Sequence, residues 1–126
     1  MEFPFILEHK TFGDNRGNFC PSPIHMKHDQ RLDKHWVQVN TSISPLIHTI
    51  RGLHFQKGEY EQAKLVTCTQ GRVLDVVVDI RKDSPTYGEV IKVELGWSLN
   101  RQLFVPRGCA HGFSVLSTNA IFQYKV

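Results

Sequence analysis

The feature that most constrains this chain is the period of its apolar residues, which alternate or bunch in short β-branched runs and never settle into helical spacing. Gly, Pro, Asn or Ser breaks the runs at intervals of roughly eight to twelve residues, the rhythm of many short strands. It predicts strands over Phe3–Leu7, Ile47–Phe55, Lys64–Thr69, Arg72–Arg81, Val90–Leu95, Gln102–Val105, Gly112–Leu116 and Ala120–Lys125, with a further alternating stretch over Trp36–Asn40. Only Gln30–Trp36 has the pattern for a helical turn. Gln70-Gly71, between two strongly β runs, predicts a tight hairpin turn, because glycine supplies positive φ. Lys82–Gly88 predicts a longer turn, since Pro85 cannot extend a ladder. Many antiparallel strands without helices point to an all-β sandwich, jelly roll or barrel.

The 126 residues are one domain's worth, and 40% hydrophobic with 21% charged residues is the balance of a folded chain rather than a disordered one. The net charge of +3 comes from Lys and Arg scattered without a run, which excludes a nucleic-acid tract and leaves enough cations for a small anionic ligand. Cys20, Cys68 and Cys109 are odd in number and widely spaced, which argues against a disulfide framework or zinc knuckle and for a reducing cytoplasm. No apolar run approaches the roughly 20 residues of a membrane helix. The start, Met1 to Phe5, lacks a signal peptide's charged head and apolar core, so the protein is expected to be unexported.

Chemistry concentrates in three places. In Ile50–Gln56, strand alternation sets Arg51, Leu53 and Phe55 on one face and Gly52, His54 and Gln56 on the other, so His54 has a small, polar face beside it. Val105–Phe113 puts His111 just after a Pro-x-Gly turn that can aim it across a barrel. Lys64 shares a face with Val66 and Cys68 rather than with a solvated stripe. On these residues alone two readings stand: site residues, or two histidines satisfied inside the sheet and a lysine snorkelling from a strand end.

The order of motifs along the chain goes further. Arg51-Gly-Leu-His54-Phe-Gln56, Lys64-Leu-Val, Asp75-Val-Val-Val-Asp79-Ile-Arg81-Lys-Asp-Ser84-Pro85-Thr86-Tyr-Gly88, Pro106-x-Gly108-x-Ala-His111-Gly112-Phe113 and Tyr124-Lys125 follow one another as in the dTDP-4-dehydrorhamnose 3,5-epimerase family, which the chain resembles from Phe12 to Val126. The resemblance implies a cupin-type jelly roll, a homodimer exchanging N-terminal strands, and no metal or other cofactor. The sequence bears on the metal independently: a metal-binding cupin usually carries His-x-His where this chain has His54-Phe-Gln56.

By the same resemblance the substrate is a nucleotide-diphosphate 4-keto-6-deoxy sugar, epimerised at C3, C5 or both in deoxysugar biosynthesis. His54 is then the base, Lys64 the holder of the enolate oxygen and Tyr124 the proton donor from the opposite face. Arg51 neutralises the diphosphate, and Arg16 and Phe19 lie near the nucleotide. Gln38, Asn40 and His111 contact the sugar, with Asp75 behind His111. Where the family has a glutamate for the nucleotide base, this chain has Pro21. The family also continues past Tyr-Lys to an aspartate that holds the catalytic histidine, whereas this sequence reads as a single domain over 1–126 without that extension. Asp75 or Asp79 would have to replace that carboxylate; if neither does, the alternative is a cupin that binds sugar nucleotides without turning them over.

Overall fold

The computed structural model describes residues 1–10, 12–19 and 36–126. Among them lie eleven strands: β1 (Phe5–Glu8), β2 (Phe12–Asp14), β3 (Gly17–Phe19), β4 (Val39–Ser44), β5 (Ile50–His54), β6 (Lys64–Gln70), β7 (Arg72–Asp79), β8 (Val90–Gly96), β9 (Arg101–Val105), β10 (Cys109–Val115) and β11 (Ala120–Lys125). A 3-10 turn spans Gly58–Tyr60. The strands form a five-stranded sheet in the order β1-β9-β6-β11-β4, a four-stranded sheet in the order β5-β10-β7-β8, and the hairpin β2-β3. All pairings are antiparallel.

The predicted strands are all present, with ends shifted by a few residues. The last starts and stops where expected, while β10 begins at Cys109 rather than Gly112 and β4 lies at Val39–Ser44 rather than over Trp36–Asn40. The three-residue strands of the β2-β3 hairpin are too short to leave a period in the sequence. The helical turn expected from Gln30 falls, up to residue 35, outside the described residues.

The expected hairpin at Gln70-Gly71 is corrected. β6 pairs with β9 and β11, whereas β7 pairs with β8 and β10, so the chain turns a corner there from one sheet to the other. Gly71 has φ +73°, and a Cβ on it would stand 3.1 Å from the Cα of Ala120 and against the Ser117 hydroxyl. Glycine is required, but for an inter-sheet corner rather than a two-residue loop.

The core fills the space between the sheets. Val66, Leu103, Val105 and Phe122 from the larger sheet meet Val73, Val77, Leu95, Phe113 and Val115 from the smaller. Each such burial is worth about 1.5–3 kcal/mol. Leu7, Leu65 and Phe104 form a second cluster, against which Phe5, Trp36 and Ala63 pack. On β7 the residues facing the core are Val73, Asp75, Val77 and Asp79, which carries two carboxylates out of water and obliges each to find donors. Asp79 accepts from the backbone N–H and Nε of Arg81 at 3.0 Å, from Ser84 Oγ at 2.5 Å and from Thr86 Oγ1 at 2.6 Å. The Arg81 guanidinium holds its carboxyl well below the usual carboxylate range, and the cluster pins the predicted Lys82–Gly88 turn between β7 and β8.

Candidate active site

The site lies between the sheets, and its side chains arrive from both. On the larger sheet Tyr124 of β11 is the register partner of Asn40 on β4 and of Val66 on β6. Because Lys64 is two residues from Val66, alternation brings it to the same inner face, as the sequence predicts. The Lys64 Nζ stands 5.4 Å from the centre of the Tyr124 ring. On the smaller sheet His54 of β5 is the register partner of His111 on β10, and their rings meet edge-on at 6.5 Å.

The residues of β5 depart from the expected alternation. His54 pairs with His111 but Arg51 pairs with Phe113, so three steps on β5 are matched by two on β10. The extra residue is a β-bulge, and it turns Arg51 and His54 toward the same cavity instead of to opposite faces. Gly52 makes this geometry possible. Its φ is +97°, and a Cβ there would come within 2.7 Å of the His111 carbonyl oxygen and 2.8 Å of the Gly112 Cα, both backbone atoms that cannot step aside. Gly52→Ala is therefore expected to push β5 off β10, costing about 1–3 kcal/mol of stability and misplacing Arg51 and His54 together. Thermal unfolding and ligand binding of the variant check this; an unchanged melting temperature would mean that the strands separate without cost.

Two cavities share the wall made by Asn40, His54, Lys64 and Tyr124. One, of about 310 Å³, continues past Gln38, Phe55, Gln56 and Gln62. The other, of about 520 Å³, continues past Thr41, Ser42, Arg51, His111 and Phe122. Gln38 Nε2 donates to Asn40 Oδ1 at 2.9 Å, consistent with the predicted shared face. Gln56 and Gln62 line this cavity although they are not among the site residues that the family resemblance implies. A period-2 signal could have found them, since Gln56 follows His54 and Gln62 precedes Lys64 by two residues.

Partial burial, although the residue keeps much of its surface exposed, and the nearby charges of Lys64 and His111 hold His54 below the usual histidine value of 6.5, so its ring is neutral at pH 7. Among the described residues its imidazole makes no hydrogen bond. Burial also lowers the Lys64 ammonium from the ordinary lysine value, opposed by the charge of Asp75. Asp75 is wholly buried, and its Oδ1 lies 2.6 Å from His111 Nε2, as expected of a residue behind His111. Its Oδ2 has no hydrogen-bond partner among the described residues, and burial raises its carboxyl above the usual value even against the pull of His111. Asp75 thus serves His111 and Asp79 serves the β7–β8 turn; neither is hydrogen-bonded to His54, so neither meets the condition for replacing the family's aspartate.

Arg16 is not brought to either cavity. It sits at the tip of the β2-β3 hairpin, its guanidinium pairing with Asp14 at 2.5 Å. Phe19 contributes its backbone to β3, opposite Phe12, and its side chain lies outside the described part of the structure, as does Pro21. Cys68 and Cys109 are free, buried thiols, and burial pushes each up to about 11, which leaves them protonated and unreactive. Cys20 lies outside the described residues. No group of three His, Cys, Asp or Glu side chains able to hold a metal ion occurs among the described residues. No described helix is long and apolar enough to cross a membrane.

Two packed antiparallel sheets with a polar cavity opening between them define a cupin-type jelly roll. A sequence model of dTDP-4-dehydrorhamnose 3,5-epimerase matches residues 2–126, and the chain belongs to that family. The dTDP-4-dehydrorhamnose 3,5-epimerase of Salmonella typhimurium is 48% identical over 122 residues, covering 95% of this chain and 66% of its own. The chain thus spans just under two thirds of that relative's length. The crystal structure of the Bacillus anthracis enzyme of the same name, with TDP and pyrophosphate bound, superposes with a TM-score of 0.90 at 44% identity over 97% of this chain and 70% of that one. The dTDP-6-deoxy-D-glucose-3,5-epimerase of Legionella pneumophila, in complex with dTDP-4-keto-L-rhamnose, gives a TM-score of 0.86 at 42% identity, covering 97% of this chain and 65% of that one.

Proposed function

We propose that this protein epimerises C3, C5 or both of a nucleotide-linked 4-keto-6-deoxy sugar of the dTDP-4-dehydro-6-deoxyglucose type, in deoxysugar and polysaccharide biosynthesis. One observation carries the reading: a neutral imidazole on β5 and a phenol on β11 face one cavity from different sheets, with an ammonium beside the phenol. Inverting a carbon next to a ketone needs this arrangement, because the proton leaves one face and returns to the other. The ligands of the two solved relatives, TDP and dTDP-4-keto-L-rhamnose, support the substrate class.

In this mechanism His54 takes the proton from the ring carbon. The electrons of the broken C–H bond enter the bond to C4, and the negative charge settles on the ketone oxygen. The Lys64 ammonium stabilises that enolate, an interaction whose loss costs about 10²–10³ in rate in comparable sites. Tyr124 then gives its hydroxyl proton to the opposite face of the carbon, and exchange with water returns His54 and Tyr124 to their starting forms. The ketone is its own electron sink, so the reaction draws on no cofactor. Arg51 neutralises the diphosphate, Gln38, Asn40 and His111 bind the sugar, and Arg16 and Phe19 serve the nucleotide, by contact within the chain or in a partner's site. A homodimer with exchanged N-terminal strands fits β1, which is an outer strand of its sheet among the described residues. The cytoplasm is where we place it.

The electrostatics fix the pH dependence. A base lowered from 6.5 stays neutral until the solution is more acid than that. The acid limb of kcat/KM is therefore expected to have its midpoint below 6.5. Stability follows the same sign: the unfolded chain binds the proton first, so the contribution of His54 is intact above pH 6.5 and fades as pH falls to the folded value. A midpoint above 6.5 would contradict the assignment.

A second reading, a cupin that binds the sugar nucleotide without turnover, draws on the imidazole of His54 having no hydrogen bond among the described residues. Mass spectrometry of dTDP-4-keto-6-deoxyglucose incubated with the protein in heavy water separates the two. A gain of one or two deuterons above the uncatalysed control, with the inverted sugar appearing on chromatography, supports the epimerase, and binding with no gain supports the second reading.

A further inference from the structure

Resting on that reading of the cavity, we infer that Gln62, together with Gln56, forms an uncharged subsite that reads hydroxyl groups of the ligand, at the end of the site opposite Arg51. Topology gives the site two ends. β4 and β6 both run antiparallel to β11 and so run parallel to each other, which puts the residues preceding Asn40 and Lys64 at the same end. Those residues are Gln38 and Gln62. On β5, Arg51 comes before His54 and Gln56 after it, so these two diverge to opposite ends of the reacting row. The cavity lining agrees: Gln38, Gln56 and Gln62 share one cavity, and Arg51 lines the other.

The two ends differ in charge. The amide end holds three carboxamides with Asn40 and, among the described residues, has no charged side chain beyond the Lys64 it shares with the Arg51 end. Such a lining suits a group that both donates and accepts, as a hydroxyl does, and gives little to a phosphate, which calls for cations. Gln38 Nε2 gives one of its two N–H groups to Asn40 Oδ1, which leaves Asn40 Nδ2 to donate outward and Gln38 Oε1 to accept. Gln56 and Gln62 make no hydrogen bond to any described residue, so within that part of the structure both carboxamides are available to a ligand in the cavity they line. Hydroxyls occur on the hexose and on the pentose of the nucleotide, and the test separates them.

Gln62→Leu keeps the side-chain volume and removes the amide; Gln56→Leu does the same across the cavity. Calorimetry with dTDP and with dTDP-glucose is expected to show binding weakened about tenfold in each variant, the loss of one hydrogen bond to an uncharged partner. Loss for dTDP-glucose alone assigns the subsite to the hexose, and equal loss for both ligands assigns it to the pentose. If the wild-type protein binds these ligands and both variants bind them as tightly, the subsite does not exist. If the wild-type protein binds neither, the proposed function itself fails and this inference with it. Both residues are exposed, so unchanged melting temperatures are expected to accompany either result.

Discussion

His54→Asn is expected to slow proton exchange at the sugar carbons by about 10²–10⁴-fold, the range associated with a positioned general base. Asparagine retains a polar group of similar reach but cannot take up a proton at neutral pH. Because the His54 ring makes no hydrogen bond among the described residues and its surface is exposed, its removal strands no buried partner. The melting temperature should stay within a degree or two, which ties the loss to chemistry. Deuterium uptake followed by mass spectrometry measures it. Unchanged uptake would remove His54 from the mechanism and turn attention to His111, the second ring in the cavity, whose Nε2 is held by a buried carboxylate.

Tyr124→Phe is expected to separate two events that the wild-type protein couples. The ring stays packed near Phe122, at 6.2 Å, and beside the Lys64 ammonium, so the fold and the enolate partner are retained. Only the hydroxyl is lost. Proton abstraction by His54 continues, and the deuteron that His54 acquires from heavy water returns to the face it came from. Deuterium therefore still enters the substrate, with retention, while the yield of inverted sugar falls by about 10²-fold or more. Chromatographic separation of the epimers alongside mass measurement gives both numbers. Inversion that survives at the wild-type rate would mean that the donor on the far face is another group.

The fold was legible where the period of two is unbroken. Lys64, Val66 and Cys68 share an inner face, as their alternation says, and Gln38 and Asn40 do likewise, close enough to hydrogen-bond. What failed were features set by partners distant in sequence. Gly71 supplies the positive φ that either a hairpin or a corner requires, and only the pairing of β6 with β11 and of β7 with β10 decides between them. The bulge on β5 is a mismatch of one residue against β10, and no local pattern in Ile50–His54 announces it; it nevertheless decides that Arg51 joins His54 at the cavity. Asp75 and His111 are 36 residues apart, and their 2.6 Å contact became expected only through the family resemblance.

The central claim is that protons are removed and returned between two sheets, and the most direct test is proton NMR of dTDP-4-keto-6-deoxyglucose with the protein in heavy water, following the C3 and C5 signals separately. The account predicts that at least one of these signals disappears at a rate that His54→Asn abolishes, both if the two carbons are served and one if the enzyme works at a single centre. Persistence of both signals at the uncatalysed rate, with the sugar nucleotide demonstrably bound, would contradict it.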